Sequence, residues 1–246
     1  MKYSYHCRTA FTLIELLIVI AIIATLAALL LSSMAKIQTT AQQTQSLNNL
    51  RQWGAALNLS LSDRGNRLPW EGQPITPTSP TAWYNVLPPY MNQLPMSQMT
   101  VATYPKAGQK SVWINPAVPT FVNSSYKTQF LFCYAMNYYL STGALPQLNV
   151  ARIAKPSATV FLGETLDNYA NLNPAYIKAF FLKGDILKPD GTWTTQADAG
   201  ANFLFCDGHV SLKKRREFDP NYGGTATKSP PDQNFTFLPY TGAVQQ

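Results

Sequence analysis

The chain has 246 residues, of which 46% are hydrophobic and 13% charged, with 19 basic side chains against 12 acids. This length allows one or two domains with a real core, and the low charged fraction argues against a disordered chain. Two histidines and three cysteines leave little material for a zinc or haem protein. The formal charge of +7 is a modest excess and does not by itself indicate a nucleic-acid-binding protein.

An apolar run occupies residues 11–31 and contains two threonines, one glutamate and no basic residue. About 20 apolar residues in a helix cross the core of a bilayer, so the run predicts a transmembrane helix. Lys2 and Arg8 precede it, as in a secretory signal, but the apolar core of such a signal has only about 7–15 residues. No Gly or Pro interrupts residues 32–51. We therefore expect the apolar run to be retained as the first half of a longer helix.

The letters AFTLIEL at residues 10–16 resemble the processing signature of type IV prepilins and type II secretion pseudopilins. The resemblance implies that prepilin peptidase cuts between Ala10 and Phe11 and methylates the new amino terminus. Gly is usual in that family before the cut, where this chain has Ala10. The family also implies assembly with other pilin or pseudopilin subunits.

Glu15 is the one charged residue of the apolar run. A carboxylate in a membrane helix costs at least about 2.5–3.5 kcal/mol, so we expect it to face a partner. Cleavage before Phe11 would create a positive amine about one helical turn away. In a filament, the family resemblance implies that Glu15 meets the terminal amine of a neighbouring subunit.

An amphipathic helix is predicted to continue to about Ser62, because apolar side chains recur at helical spacing. These side chains are Leu47, Leu50, Trp53, Leu57 and Leu61. Gly54 lies within this face and costs about 1 kcal/mol relative to Ala. The letters DRGN at residues 63–66 then provide a stop signal.

Residues 68–120 contain ten of the 18 prolines, interleaved with Trp and Tyr, which excludes a long helix there. Such an insert is either a ligand groove or, more commonly, an irregular region packed onto a core.

Strand-like runs follow at residues 130–139, 158–164 and 201–206. Asp207 and Gly208 then separate the third run from another apolar stretch. Asp-Gly at such a place predicts a hairpin whose primed turn has positive φ at both central residues. The predicted fold is therefore α+β, with a long N-terminal transmembrane helix packed on a small antiparallel sheet.

A second resemblance lies in the letters ANFLFCDGHV at residues 201–210, which are similar to the C-terminal signature of a group of prepilin-like proteins. That pattern also places a His ten residues before the Asp of its Asp-Gly. Here the position is Ala197, so the hairpin half of the signature is present and the His half is absent.

The best catalytic constellation is Asp207 with His209, together with Glu164 or Asp167. Asp207 and His209 straddle a turn, and no Ser or Cys lies in a nucleophile elbow, so we expect no enzyme activity. We expect no metal or cofactor. Calcium is the alternative left open, because three acids lie in a Gly-containing stretch, although solvated loop acids are the preferred interpretation. These acids are Asp185, Asp190 and Asp198.

Cysteine usage depends on the compartment. Cys7 lies in the leader, whereas Cys133 and Cys206 would remain in an oxidising periplasm. The two could form a disulfide or remain as two buried free thiols, and sequence does not decide between these alternatives.

The predicted organisation is a leader (1–10), a transmembrane half-helix (11–31), a periplasmic half-helix (32–62) and a globular domain (63–246) with a Pro/aromatic insert (68–120). The implied function is that of a structural subunit of a periplasmic or surface filament of the type IV or type II secretion kind. The protein would be a single-pass inner-membrane protein with its C-terminal domain in the periplasm, or in an extracellular filament after assembly. Its partners would be prepilin peptidase, other subunits and the inner membrane, with no nucleic acid. The alternative is a membrane-anchored periplasmic binding module that does not polymerise.

The processing signature predicts a mature chain that begins at N-methylated Phe11. Intact mass spectrometry of the protein purified from membranes would measure this directly. A mature terminus beyond residue 31 would instead identify the apolar run as an ordinary signal peptide.

Overall fold

A computed structural model describes residues 12–72, 75–118, 132–140, 148–165, 171–172, 186–187, 193–194 and 200–214. The chain divides into two compact units, which we call unit 1 (Met1–Ala41) and unit 2 (Gln42–Gln246). One helix, α1, runs through Leu13–Asp63. Its segment Leu13–Leu31 has a mean hydropathy of 2.9 and is long and apolar enough to cross a membrane.

The end of α1 is determined by two consecutive left-handed residues. Gly65 has a φ of 62° and Asn66 a φ of 61°, a region that Gly adopts freely and Asn tolerates. The Asn66 N–H donates to the Leu61 carbonyl at 2.8 Å, which satisfies one of the last helical carbonyls. The helix therefore stops at Asp63, one residue beyond the predicted end.

The part of α1 in unit 2 buries one face. Its buried apolar side chains are Leu50, Trp53, Ala56, Leu57 and Leu61. Leu47 is only half-buried. Ser46, Asn49 and Ser60 are buried polar residues on the same helix, which the apolar spacing did not predict.

The proline-rich insert contributes to the core through its tryptophans. It contains the short helix α2 (Trp83–Val86) and two 3₁₀ turns, Pro88–Met91 and Met96–Gln98. The Trp53 ring of α1 makes edge-on contacts with Trp83 and Trp113, at centroid distances of 5.3 and 4.9 Å. Aromatic pairs in this geometry are stabilised beyond their buried area. The insert therefore packs against α1 through these rings.

Seven strands follow in chain order: β1 (Tyr134–Asn137), β2 (Val160–Glu164), β3 (Asn171–Leu172), β4 (Ile186–Leu187), β5 (Trp193–Thr194), β6 (Gly200–Phe205) and β7 (Val210–Lys214). The main sheet has the order β3-β1-β2-β6-β7, and β4 pairs with β5 separately. The neighbouring pairs β1–β2, β2–β6 and β6–β7 are antiparallel, whereas β3 is parallel to β1. The predicted α+β fold with a small antiparallel sheet is confirmed, and β3, β4 and β5 were not predicted.

Cys133 and Cys206 are both buried free thiols. The Thr165 N–H donates to the Cys133 carbonyl, and the Cys206 N–H donates to the Thr159 carbonyl, each at 2.9 Å. The two cysteines therefore lie at opposite ends of β2, about 20 Å apart at about 3.3 Å per residue. A disulfide needs Cα atoms within about 7 Å, so the register excludes the disulfide alternative. Burial raises the pKa of both thiols, that of Cys133 to about 12.

α1 and the β6–β7 turn approach each other most closely at Gly54. A Cβ on Gly54 would lie 2.8 Å from the Gly208 carbonyl oxygen and 2.9 Å from Leu204 Cδ1. The first of these atoms belongs to the backbone, so the turn as a whole would have to move. Gly54 weakens the helix locally, but the close packing of α1 against the β6–β7 turn requires a residue without a side chain at this position.

We expect Gly54→Ala to lower the free energy of unfolding by about 1–2 kcal/mol, because overpacking outweighs the gain of about 1 kcal/mol in helix propensity. Urea unfolding of the full chain in detergent, followed by near-ultraviolet circular dichroism, measures the change. Ala55→Gly at the adjacent exposed position is the matched control, which reports the propensity term alone. A stabilised Gly54→Ala variant would contradict the close contact.

Candidate functional site

The N-terminus of α1 is closed by a reciprocal pair of side chains, Thr12 and Glu15. The Thr12 N–H and its hydroxyl donate to Glu15 Oε2 at 2.9 and 2.7 Å, and the Glu15 N–H donates to Thr12 Oγ1 at 3.2 Å. This is a capping box, with Thr12 at the N-cap and Glu15 three residues into the helix. The T-x-x-E signature of this box is present in the sequence at residues 12–15, although Glu15 was interpreted above only as a charge in an apolar run.

The capping box gives the Glu15 carboxylate hydrogen-bond partners within its own chain. Ala10 and Phe11, the predicted processing site, lie outside the described residues. Between Leu13 and Leu31, large apolar side chains are 44–87% exposed. In water so large an apolar surface would be strongly unfavourable, whereas lipid or other apolar helices would cover it.

The β6–β7 hairpin has a different turn from the predicted one. The Gly208 N–H donates to the Phe205 carbonyl and the Phe205 N–H to the His209 carbonyl, both at 2.9 Å. Gly208 has a φ of 91°, but positive φ at other residue types occurs, within the described part of the chain, only at Asn66 and Asn92. Asp207 therefore does not adopt positive φ, and the predicted primed turn is wrong. The loop is a three-residue turn in which one left-handed Gly forms the bulge.

Asp207 and His209 contact each other across this turn. Asp207 Oδ1 accepts the His209 N–H at 3.1 Å and lies 2.6 Å from His209 Nδ1. The imidazole stacks on Phe205, with ring centroids 4.3 Å apart and planes 5° apart. Both polar side chains are exposed, and these contacts hold the turn in shape.

The other members of the proposed catalytic constellation do not join this pair. Glu164 lies at the end of β2 opposite to Thr159, which is the residue that contacts the hairpin. Asp167 lies outside the described residues, as do the three acids considered for calcium: Asp185, Asp190 and Asp198. Within the described residues, no group of three His, Cys, Asp or Glu side chains could hold a metal ion.

Glu164 instead lies in a buried polar cluster that sequence reasoning did not find. Its carboxylate accepts hydrogen bonds from the Ser46 hydroxyl, from Asn115 Nδ2 at 3.2 Å and from two groups of Asn202, N at 2.7 Å and Nδ2 at 3.0 Å. Tyr134 is part of the same cluster, because its hydroxyl lies 2.9 Å from Ser46 Oγ. Burial first, and then the neighbouring carboxylate, raise the Tyr134 pKa well above its usual value.

Comparison with known proteins identifies the N-terminal segment. The family model described as a prokaryotic N-terminal methylation motif matches residues 6–31. No curated protein and no solved structure matches the chain. This motif, together with the apolar helix and the antiparallel sheet, makes the chain similar to type IV pilin-like proteins. The match does not extend to residues 201–210, whose likeness to a C-terminal signature remains a resemblance.

Gly208→Val should lower the free energy of unfolding by about 1 kcal/mol or more, because a β-branched residue resists a φ of 91°. Its Cβ would also lie 2.7 Å from Asn58 Nδ2 on α1. Urea unfolding of the full chain measures this effect. Gly208→Asn is the informative comparison, because Asn tolerates the left-handed region and should cost less. Equal unfolding curves for wild type and Gly208→Val would contradict the turn.

Proposed function

We propose that the chain is a structural subunit, a pilin or pseudopilin, of a periplasmic or surface filament of the type IV or type II secretion kind. The observation that supports this proposal most directly is Glu15. It is a carboxylate in a helix segment whose other side chains, apart from Thr25, are apolar, and the segment is exposed throughout. An anchor that only holds a domain at a membrane gains nothing from an acid whose insertion costs about 2.5–3.5 kcal/mol.

The capping box suggests how the acid is accommodated before and after assembly. In a single subunit, the two donors of Thr12 hydrogen-bond to the Glu15 carboxylate. In the filament, the methylated amine of a neighbouring Phe11 would take over part of that role as a charged partner. A buried ion pair of this kind is weak as a source of stability but effective in selecting register. The capped carboxylate would thus be kept in place for a neighbour.

The proposed location follows from the same features. Leu13–Leu31 would lie in the inner membrane, with unit 2 on the periplasmic side. After assembly the subunit would be part of a filament, with prepilin peptidase and other subunits as its partners. A structural subunit of this kind has no catalytic role, and we propose none.

The alternative function, a binding module that does not polymerise, would need a recognition surface on the Pro/aromatic insert. Trp83 and Trp113 instead pack on Trp53 of α1 and are at most 3% exposed. Rings that lie inside the core are not available to stack on a ligand. This observation favours the filament subunit over the binding module.

Glu15→Leu should leave membrane insertion intact or improved, since a carboxylate leaves the hydrocarbon region. Filament assembly should fall sharply, because an amine without its acid partner costs about 3–5 kcal/mol per subunit. Carbonate-resistant membrane content and crosslinked multimers should be compared in cells that carry the native assembly machinery.

Thr12→Val separates the two roles of Glu15, since it removes the capping hydroxyl and keeps the acid. If Glu15 acts through a neighbouring amine, Thr12→Val retains most of the multimers that Glu15→Leu loses. Equal losses in the two variants would show that only the cap matters. Equal multimerisation by wild type and Glu15→Leu would reject the role given to Glu15 in assembly. A wild type that never multimerises in these cells would reject the filament subunit and leave the binding module in its place.

A further inference from the structure

The first two turns of α1 in unit 2 pack differently from the rest of the helix. Within residues 42–49, the buried side chains are Ser46 and Asn49, which are 1% and 5% exposed. Both are polar. From Leu50 to Leu61 the buried face is mainly apolar. Hydrophobic burial therefore holds the later turns, and a different kind of contact must hold the first two.

That contact is the polar cluster around Glu164. Ser46 donates to the Glu164 carboxylate, and the Tyr134 hydroxyl lies 2.9 Å from the same serine oxygen. Asn49 Nδ2 donates to the carbonyls of Ser111 and Ile114 at 3.2 and 3.0 Å. It also lies 3.3 Å from the Tyr134 hydroxyl. Residues 42–49 are thus attached by directional hydrogen bonds to the sheet and to the insert.

The chemistry of the cluster suits an ionised carboxylate. Four donors contact the Glu164 carboxylate: the Ser46 hydroxyl, the Asn115 amide, and the N–H and amide of Asn202. An ionised carboxylate only accepts, so all four donors are satisfied. Charge-assisted hydrogen bonds in a dry site are strong, but they weaken steeply with distance and angle.

The next turns of α1 are held by close backbone contact and by apolar burial. Gly54 lies against the Gly208 carbonyl, and the Trp53 indole N–H donates to the Val112 carbonyl at 3.1 Å. Opening these turns would expose the fully buried Trp53 and Leu57 to water, whereas the one large apolar side chain of residues 42–49, Leu47, is already half-exposed. The two parts of the helix therefore differ in what their release costs.

We propose that residues 42–49 form a latch, which releases from the sheet while Leu50–Leu61 stays packed. The Glu164 cluster closes the latch, and the contact between Gly54 and Gly208 is the fixed point beyond it. Release adds these eight residues to the part of α1 that lies between the membrane segment and the packed helix. The latch is independent of the filament proposal, because it rests on contacts within unit 2.

Hydrogen exchange of the mature full chain in detergent, read by mass spectrometry, tests the latch. In wild type, the backbone amides of residues 43–50, which lie in the latch and at its junction with the packed helix, should exchange through a local opening of the helix. They should exchange faster than the amides of residues 54–61. Glu164→Gln leaves the cluster with one acceptor too few and should speed exchange over residues 43–50 at least about tenfold. The helical hydrogen bonds of a released segment open more often, because the segment has lost its tertiary contacts. Residues 54–61 should keep their protection.

Two controls distinguish a latch from general destabilisation. Glu71→Gln makes the same change at another fully buried glutamate. It should leave the ratio of amide exchange rates between residues 43–50 and residues 54–61 unchanged. The native thiol of Cys206, buried at the hairpin end of β2, should be labelled by a thiol reagent at the wild-type rate in Glu164→Gln. If Glu164→Gln does not fold, Ser46→Ala can be used instead, because it removes only the hydroxyl of α1 that donates to Glu164. It should also speed exchange over residues 43–50.

The inference is overturned if exchange over residues 43–50 is unchanged in Glu164→Gln and in Ser46→Ala. It is equally overturned if residues 43–50 and 54–61 accelerate together, since α1 would then leave the sheet as one body.

Discussion

The contact between two backbones, at Gly54 of α1 and Gly208 of the β6–β7 turn, is the constraint around which unit 2 is arranged. The Gly208 carbonyl oxygen lies only 2.8 Å from where the Cβ of any other residue at position 54 would be. The helix can come this close only because both positions lack side chains. That approach sets the depth at which Trp53 enters the core and contacts the tryptophans of the insert.

Glu15 and Glu164 show how the same side chain serves different purposes in different surroundings. Glu15 lies in an exposed apolar helix, and its described contacts are all with Thr12, three residues away. Glu164 is 2% exposed and joins segments that are distant in sequence. In both cases the acid supplies direction rather than bulk stability, because a carboxylate removed from water must have its donors in place.

The β6–β7 hairpin is the part of the sheet that contacts α1 through its turn. Asp207 accepts from His209, the imidazole stacks on Phe205, and Gly208 closes the loop against α1. The letters of this stretch that resemble a C-terminal signature therefore have a structural explanation as a turn that meets a helix. Glu164, one of the two acids considered as a third catalytic residue, is placed by the register of β2 at the far end of the strand.

The sequence by itself determined the features that depend on near neighbours. Apolar length predicted the membrane helix, helical spacing predicted the buried face of α1, and the letters after Ser62 predicted its end. Runs of strand-forming residues and the Asp-Gly turn located the main strands. The methylation motif was readable because its residues are contiguous.

Only the tertiary structure decided what depends on register between distant segments. The pairing of β1, β2 and β6 places Cys133 and Cys206 at opposite ends of a strand, although both looked equally available in the sequence. Glu164 is 118 residues from Ser46 and 38 residues from Asn202, and the three meet because the sheet and helix are aligned. Local patterns carry no information about such alignment, because it is set by packing and hydrogen bonding across the whole unit.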